Sequence, residues 1–156
     1  MTETIVRAVR RDDWQAWLAL WDGYNAFYAR VLDEAVTRAT WGRFFDQDEP
    51  VHALVAESQG RLVGLVHYIF HRNTGMVRPV CYLQDLFASP EARGRGVGRA
   101  LIEAVTAAAE RAGSPRVYWL THETNVQAQA LYDKVAARSG FVQYRKELPR
   151  NEGGGS

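Results

Sequence analysis

The sequence predicts a mixed α/β fold, a sheet with helices on both faces built in the order β-α-α-β-β-β-α-β-α-β. Three observations carry it: strand-like runs that follow one another across short links in mid-chain, a glycine-rich turn that hands the last of them to an amphipathic helix, and a further strand and capped helix beyond. Thr4 to Arg10 alternates weakly and is β-branched at Ile5, Val6 and Val9, which suits a first strand. Asp12 or Asp13 then caps a short helix with Trp14, Trp17, Leu18 and Trp21 at helical spacing, and Gly23 marks its stop. In a second helix Phe27, Tyr28, Val31, Leu32, Ala35, Val36 and Ala39 form one stripe.

Val51 to Glu57 and Leu62 to Phe70 read as strands, and the link Ser58-Gln59-Gly60-Arg61 makes them an antiparallel hairpin. A third strand, Val80 to Ala88, lies between Pro79 and Ser89-Pro90. From Gly98 to Ala112 the residues Leu101, Ala104, Val105, Ala108 and Ala112 share a helical face that Gly113 ends, and Arg116 to Thr121 reads as the next strand. Asn125 caps a helix running to about Arg138, and Phe141 to Leu148 forms a closing strand after Gly140. The strand-helix-strand unit in the second half predicts a right-handed crossover between parallel neighbours, which puts helices on both faces.

Composition narrows the function classes. At 156 residues, 47% hydrophobic and 24% charged, the chain predicts one soluble domain over residues 1–150, with the GGGS ending at Gly153 to Ser156 reading as an appended linker within 151–156. The longest stretch without a formal charge, Leu62 to His71, is far short of the ~18 apolar residues of a membrane span. A net charge of +1 offers no bulk attraction to nucleic acid or anionic lipid, so neither partner is expected and any phosphate recognition must be local. Cys81 is the single cysteine, and the opening residues lack the apolar core of a secretion signal, so a cytoplasmic location is expected.

Local phosphate recognition has one obvious seat. Arg93-Gly94-Arg95-Gly96-Val97-Gly98-Arg99 stands where a strand hands over to a helix N-terminus, where glycines let successive amide N–H groups turn against an anion and the helix end adds about half a positive charge. It is neither the dinucleotide-binding fingerprint, lacking the acidic residue after a second strand, nor a P-loop, lacking Gly-Lys-Ser/Thr. By itself it reads equally as an ordinary glycine-rich turn.

With its flanks, the segment Tyr82 to Leu101 closely resembles the central motif of the GCN5-related N-acetyltransferase superfamily, whose Arg/Gln-x-x-Gly-x-Gly/Ala signature is matched by Arg93, Gly96 and Gly98. Downstream, Asn125-Val126-Gln127-Ala128-Gln129-Ala130-Leu131-Tyr132, followed by Ser139-Gly140-Phe141, is similar to the family's Asn-x-x-Ala-x-x-Leu-Tyr helix. Within the superfamily, Tyr-Leu-x-Asp-Leu on the central strand is most similar to the spermidine/spermine, thialysine and yeast Hpa-type enzymes. The resemblance covers about Thr4 to Leu148 and implies acetyl-coenzyme A as co-substrate. It implies that the amides of Arg93, Gly94, Arg95, Gly96, Val97, Gly98 and Arg99 hold the pyrophosphate and that the edge of Leu86, Phe87 and Ala88 pairs with the pantetheine arm. Asn125 and Ala128 are implied near the thioester end. A bulge in the central strand is common in such proteins.

Acetyl transfer needs a neutral amine, donors for the developing oxyanion and an acid for the departing thiolate. The resemblance makes Tyr132 the acid, the other reading being a core aromatic beside Ala128, Val135 and Ala136. Where the nearest relatives use Glu as base this chain has Gln84, which accepts no proton; Asp85, the adjacent carboxylate, and Glu123, at the end of the next strand, are the candidates to receive the amine proton directly or through water, and Asp85 inherits the position only if a bulge re-aims it. Asp22, Tyr24, Tyr28 and Gln84 are the candidates for the acceptor amine, with Trp21, Phe27 and Tyr28 also readable as core. Cys81, ~20 Å of strand from Phe87, is expected to be buried and unreactive, and His67 and His71, ~13 Å apart, share no metal, so no metal is expected. The expected activity is transfer of acetyl to a small-molecule primary amine by direct attack in a ternary complex; a protein-amine acetyltransferase and a non-catalytic acyl-CoA-binding module are the alternatives. A homodimer is expected to complete the edge at the closing strand.

Overall fold

Alternation and β-branching along the first two thirds of the chain produce a five-stranded sheet in the order β1-β2-β3-β4-β5. The computed structural model describes residues 3–149; the linker-like Gly153 to Ser156 lies outside them. The strands are β1 (Thr4–Ala8), β2 (Val51–Ser58), β3 (Arg61–His71), β4 (Val80–Ala88) and β5 (Val117–Tyr118), and the helices α1 (Trp14–Phe27), α2 (Glu34–Arg43), α3 (Val97–Arg111) and α4 (Val126–Val135). The first four strands pair antiparallel and β4 pairs parallel with β5, the arrangement a β4-α3-β5 crossover requires. The β2-β3 turn places Gln59 and Gly60 at φ 52° and 74°, the left-handed pair that matches the twist of a tight hairpin. Two compact units make up the chain, one running to Leu120 and one beginning at Thr121.

In the first unit, α1 and α3 take opposite faces of the sheet. Trp17, Leu20, Trp21 and Tyr24 of α1 bury against Val55, Leu65 and Phe87, while Val97 and Leu101 of α3 close on Gly64. Trp17 is fully buried, with Trp41 and Phe44 packed at centroid distances of 4.9 and 5.7 Å.

Several boundaries differ from the sequence expectation. Gly23 does not stop α1, which continues to Phe27; a Cβ there would come within 3.1 Å of the Phe87 ring, so this glycine serves close approach to the sheet. The stripe beginning at Phe27 is not one helix: Phe27, Tyr28 and Val31 precede α2 and are exposed, because the backbone turns at Ala29, φ 50°. Neither Asp12 nor Asp13 caps α1 by its side chain. Asp13 instead accepts from Arg7 Nη1 and Nη2 at 2.7 and 3.0 Å and from the Arg10 N–H at 2.7 Å, and Arg7 also reaches Glu57 at 3.1 Å. The strand expected over Arg116 to Thr121 shrinks to Val117–Tyr118.

The closing strand does not form. Among the described residues nothing pairs with 141–148, and Phe141, Val142, Tyr144 and Leu148 are 91, 76, 94 and 74% exposed. Alternation supplies a strand with a face, but its N–H and C=O groups also need a ladder partner, which the unit from Thr121 onward does not offer.

The Arg7 guanidinium beside it, with the Arg10 N–H, holds Asp13 below the usual carboxylate range against the opposing cost of burial. A depressed folded value gives stability that is fully present above the ordinary ~3.9 and is lost as pH falls through the lower folded value. Asp13→Asn is therefore expected to cost about 1.5 to 3 kcal/mol near neutral pH and progressively less in acid. Melting curves of parent and variant at neutral and acid pH check this; a gap that does not narrow on acidification removes the assignment.

Candidate active site

The site is built where β4 runs out. After Ala88 a short turn at Pro90–Ala92 leads to Arg93, Gly94 sits at φ 81°, and Gly96, at φ 79° and ψ 14°, is the residue before α3. A Cβ at Gly94 or Gly96 would meet nothing within 4 Å, so it is the left-handed backbone and not crowding that asks for glycine there. No side chain caps α3, and its first N–H groups have no acceptor inside the helix. The first-turn amides are thus left without a helical or capping acceptor at the positive end of the dipole, which suits an anion such as a diphosphate. The Arg93 guanidinium lies over the rings of Phe27 and Phe87 at 5.7 and 5.9 Å, while Arg99 pairs with Glu103 on the helix surface at 3.1 Å. The end of β4 and α1 also border a groove of about 890 Å³ whose lining includes Gly23, Phe27, Phe87, Ser89 and Arg93. Within it the buried Ser89 hydroxyl has no hydrogen-bond partner among the described residues.

β4 carries a bulge at Gln84. His67 pairs with Asp85 and Tyr68 with Leu83, so Gln84 is the extra residue and is exposed. Residues paired across a ladder share a face. Leu65 with Phe87, and His67 with Asp85, therefore lie on the α1 face, whereas Tyr68 with Leu83 and Phe70 with Cys81 lie on the α3 face. The bulge turns Asp85 inward under α1, where it is buried. Pairing with β5 ends at Tyr82, so in the first unit the edge of β4 from Leu83 through Leu86, Phe87 and Ala88 carries no strand partner.

Asp85 has company that sequence reasoning missed. Its Oδ2 lies 2.9 Å from His67 Nδ1, and the Trp17 indole N–H donates to His67 Nε2 at 3.1 Å. Burial first, and then the neighbouring Asp85 carboxylate to which it donates, raise the Tyr24 phenol above its ordinary value. Trp21 is core, as its spacing suggests, and Asp22 faces solvent, but the other aromatics depart from expectation: Tyr24 is core, stacked on Trp21 at 5.3 Å, while Phe27 and Tyr28 are exposed. A register argument could have paired His67 with Asp85, but only with the bulge already placed.

Cys81 is fully buried, and burial pushes its thiol up to about 12, which leaves it a poor nucleophile. His71 meets the Tyr118 hydroxyl at 2.6 Å, away from His67, and no three His, Cys, Asp or Glu side chains cluster as metal ligands among the described residues.

The second unit holds the remaining predicted residues. Asn125 caps α4, its Oδ1 accepting from the Ala128 N–H at 3.3 Å, and Gln129 donates to the His122 and Glu123 carbonyls at 3.0 Å each. Asn and Ala three apart thus make the helix start, while Tyr132 is half-buried on α4 and Glu123 is exposed. Arg138 closes on Asp133 with two bonds of 3.1 Å.

Comparison with known proteins gives this arrangement a context. Residues 8–137 match the Acetyltransferase (GNAT) family. The D-amino-acid N-acetyltransferase HPA3 of Saccharomyces cerevisiae is 37% identical over 144 residues, 91% of this chain and 89% of the yeast protein. The thialysine N-epsilon-acetyltransferase of Mus musculus is 32% identical over 118 residues, 66% of this chain and 68% of its own length. Among solved structures, the ribosomal-protein-alanine N-acetyltransferase of Brucella melitensis biovar Abortus 2308 has a TM-score of 0.78 at 19% identity, covering 93% of this chain and 99% of that one. An aminoglycoside N-acetyltransferase solved in complex with CoA has a TM-score of 0.76 at 19% identity, covering 94% and 96%.

Proposed function

The chain belongs to the acetyltransferase (GNAT) family and is an acetyltransferase, and from that premise we propose that it transfers the acetyl group of acetyl-coenzyme A to a primary amine of a small molecule, such as an amino acid or diamine, by direct attack in a ternary complex. The left-handed Gly96 at the uncapped start of α3 is the observation that carries the cofactor half, because it opens backbone amides toward an anion with no side chain in the way. The amides from Arg93 to Arg99 hold the diphosphate, and the unpaired edge of Leu86, Phe87 and Ala88 hydrogen-bonds the amide-bearing arm. Asn125 and Ala128 border the thioester, which supplies the activated acetyl group. Asp85 receives the amine proton, with Glu123 as the other carboxylate able to do so, and Tyr132 protonates the departing thiolate. Asp22, Tyr24, Tyr28 and Gln84 border the acceptor.

A small-molecule acceptor is supported by the yeast relative, whose name records D-amino acids. The same reading includes the cytoplasm as location, no nucleic-acid partner given the near-neutral charge, and a homodimer that covers the exposed Phe141, Val142, Tyr144 and Leu148. No helix of the described residues is long and apolar enough to cross a membrane.

Incubation with acetyl-CoA and an amine panel is expected to release free thiol. Turnover of peptides alone shifts the acceptor to protein amines, and silence with every amine defeats the proposal. Gly96→Asp is expected to weaken acetyl-CoA binding about tenfold or more, on the order of 1.4 kcal/mol, by placing a carboxylate at the diphosphate. The variant should still fold, since its Cβ meets nothing within 4 Å and a non-glycine residue there costs on the order of 1 to 2 kcal/mol. Parental affinity in the folded variant, read by calorimetry, would put the diphosphate elsewhere.

A further inference from the structure

His67 is a titratable side chain sealed inside an aromatic core. It is 2% exposed, with the rings of Phe44, Trp21 and Trp17 centred 4.9, 5.0 and 5.8 Å away. Both ring nitrogens are engaged, and the partners fix which one bears the proton. An indole N–H donates and never accepts, so the 3.1 Å contact from Trp17 leaves His67 Nε2 unprotonated. The proton must then sit on Nδ1, where it is donated to Asp85 Oδ2 at 2.9 Å. The imidazole is neutral in this arrangement and spends its one N–H on Asp85. Among the described residues no arginine or lysine pairs with Asp85. A buried carboxylate without a cation is expensive to hold, and such groups concentrate where charge does work.

We propose that His67 is a positioning residue for acetyl transfer: locked as its Nδ1–H tautomer by the Trp17 indole, it holds the Asp85 carboxylate in one orientation as the acceptor of the amine proton. The proton that leaves the attacking nitrogen ends on Asp85. It cannot pass to the imidazole, whose only lone pair already receives the indole N–H, unless that bond breaks. The bulge at Gln84 contributes by turning Asp85 onto the same sheet face as His67. The inference rests on the acetyltransferase reading with Asp85 as proton acceptor.

Two variants and one spectrum test it. His67→Leu removes both contacts; His67→Asn loses the acceptor for Trp17 but keeps an amide N–H close to where Nδ1–H stood. If His67 acts through Asp85, kcat is expected to fall about tenfold or more in the Leu variant, with the KM for acetyl-CoA changed by no more than about twofold, and the Asn variant should recover most of the loss. The two variants should melt at similar temperatures, so recovery by Asn alone separates orientation of the carboxylate from bulk stability. Parental kcat in a folded Leu variant, or activity that follows melting temperature in both, overturns the proposal. Independently of activity, nitrogen-15 histidine spectra of the parent are expected to show a neutral ring protonated at Nδ1. A ring protonated at Nε2, or a charged ring near neutral pH, overturns the lock. A protein that acetylates no amine fails the acetyltransferase reading instead, and the spectrum still decides the tautomer.

Discussion

Tyr132→Phe is expected to cut turnover roughly 10²-fold or more, the usual worth of a positioned general acid, while acetyl-CoA affinity and melting temperature stay near parental. The substitution keeps the ring and its packing on α4, where Tyr132 is half-buried and its carbonyl accepts from the Ala136 N–H at 2.9 Å. It removes the one proton the side chain can give. A core role would leave turnover almost untouched by this change, so steady-state rates beside a melting curve separate the two readings. A folded variant at near-parental turnover ends the general-acid assignment and leaves water or the substrate to protonate the thiolate.

The second large effect is expected at Gly64, where β3 meets α3. A Cβ there would stand 2.8 Å from Val97 Cγ1, 3.1 Å from Leu101 Cδ1 and 3.1 Å from the Phe87 carbonyl oxygen. Val97 is β-branched within a helix and a carbonyl in a ladder cannot step aside, so the strain must move α3. Gly64→Val is expected to cost roughly 3 kcal/mol, or about 6 to 12 °C in melting temperature for a chain of this size. Acetyl-CoA affinity should fall with it, because the helix that shifts is the one whose first turn faces the diphosphate. A melting temperature within a degree or so of the parent would mean that the seam adapts, and that the glycine is there for another reason.

Features set by neighbours in sequence were legible from sequence. The bounds of β4 are those expected, Val80 to Ala88, because Pro79 and Ser89-Pro90 punctuate them. The hairpin turn at Gln59-Gly60 and the helix behind the glycine loop were equally local. What escaped depends on partners distant in the chain. Gly23 looks like a helix stop until Phe87 is seen pressed against it, and Phe141 to Leu148 looks like a strand until its ladder is sought. Asp85 was identifiable as a carboxylate beside Gln84, but its pairing with His67 and Trp17 needed a cross-strand register and a helix docked over it. Aromatic spacing along α1 could not tell Tyr24 from Tyr28, because both follow the same period and only the helix end at Phe27 divides them.

The extra residue at Gln84 makes β4 a strand in two phases. Every odd position from Cys81 to Phe87 is buried, which reads as one uninterrupted alternation, yet Cys81 and Leu83 answer to α3 while Asp85 and Phe87 answer to α1. A substitution scan along β4 must therefore be interpreted against two different cores, with the change of core between Leu83 and Asp85. Length changes follow a separate logic from substitutions: removing Gln84 makes Leu83 and Asp85 neighbours, which plain alternation already sets on opposite faces, so each half keeps its core and only the bulge is lost. Residue identity at Leu83 and Asp85 is consequently under tighter physical constraint than the residue between them, and Gln84 is an exposed insertion that neither core requires.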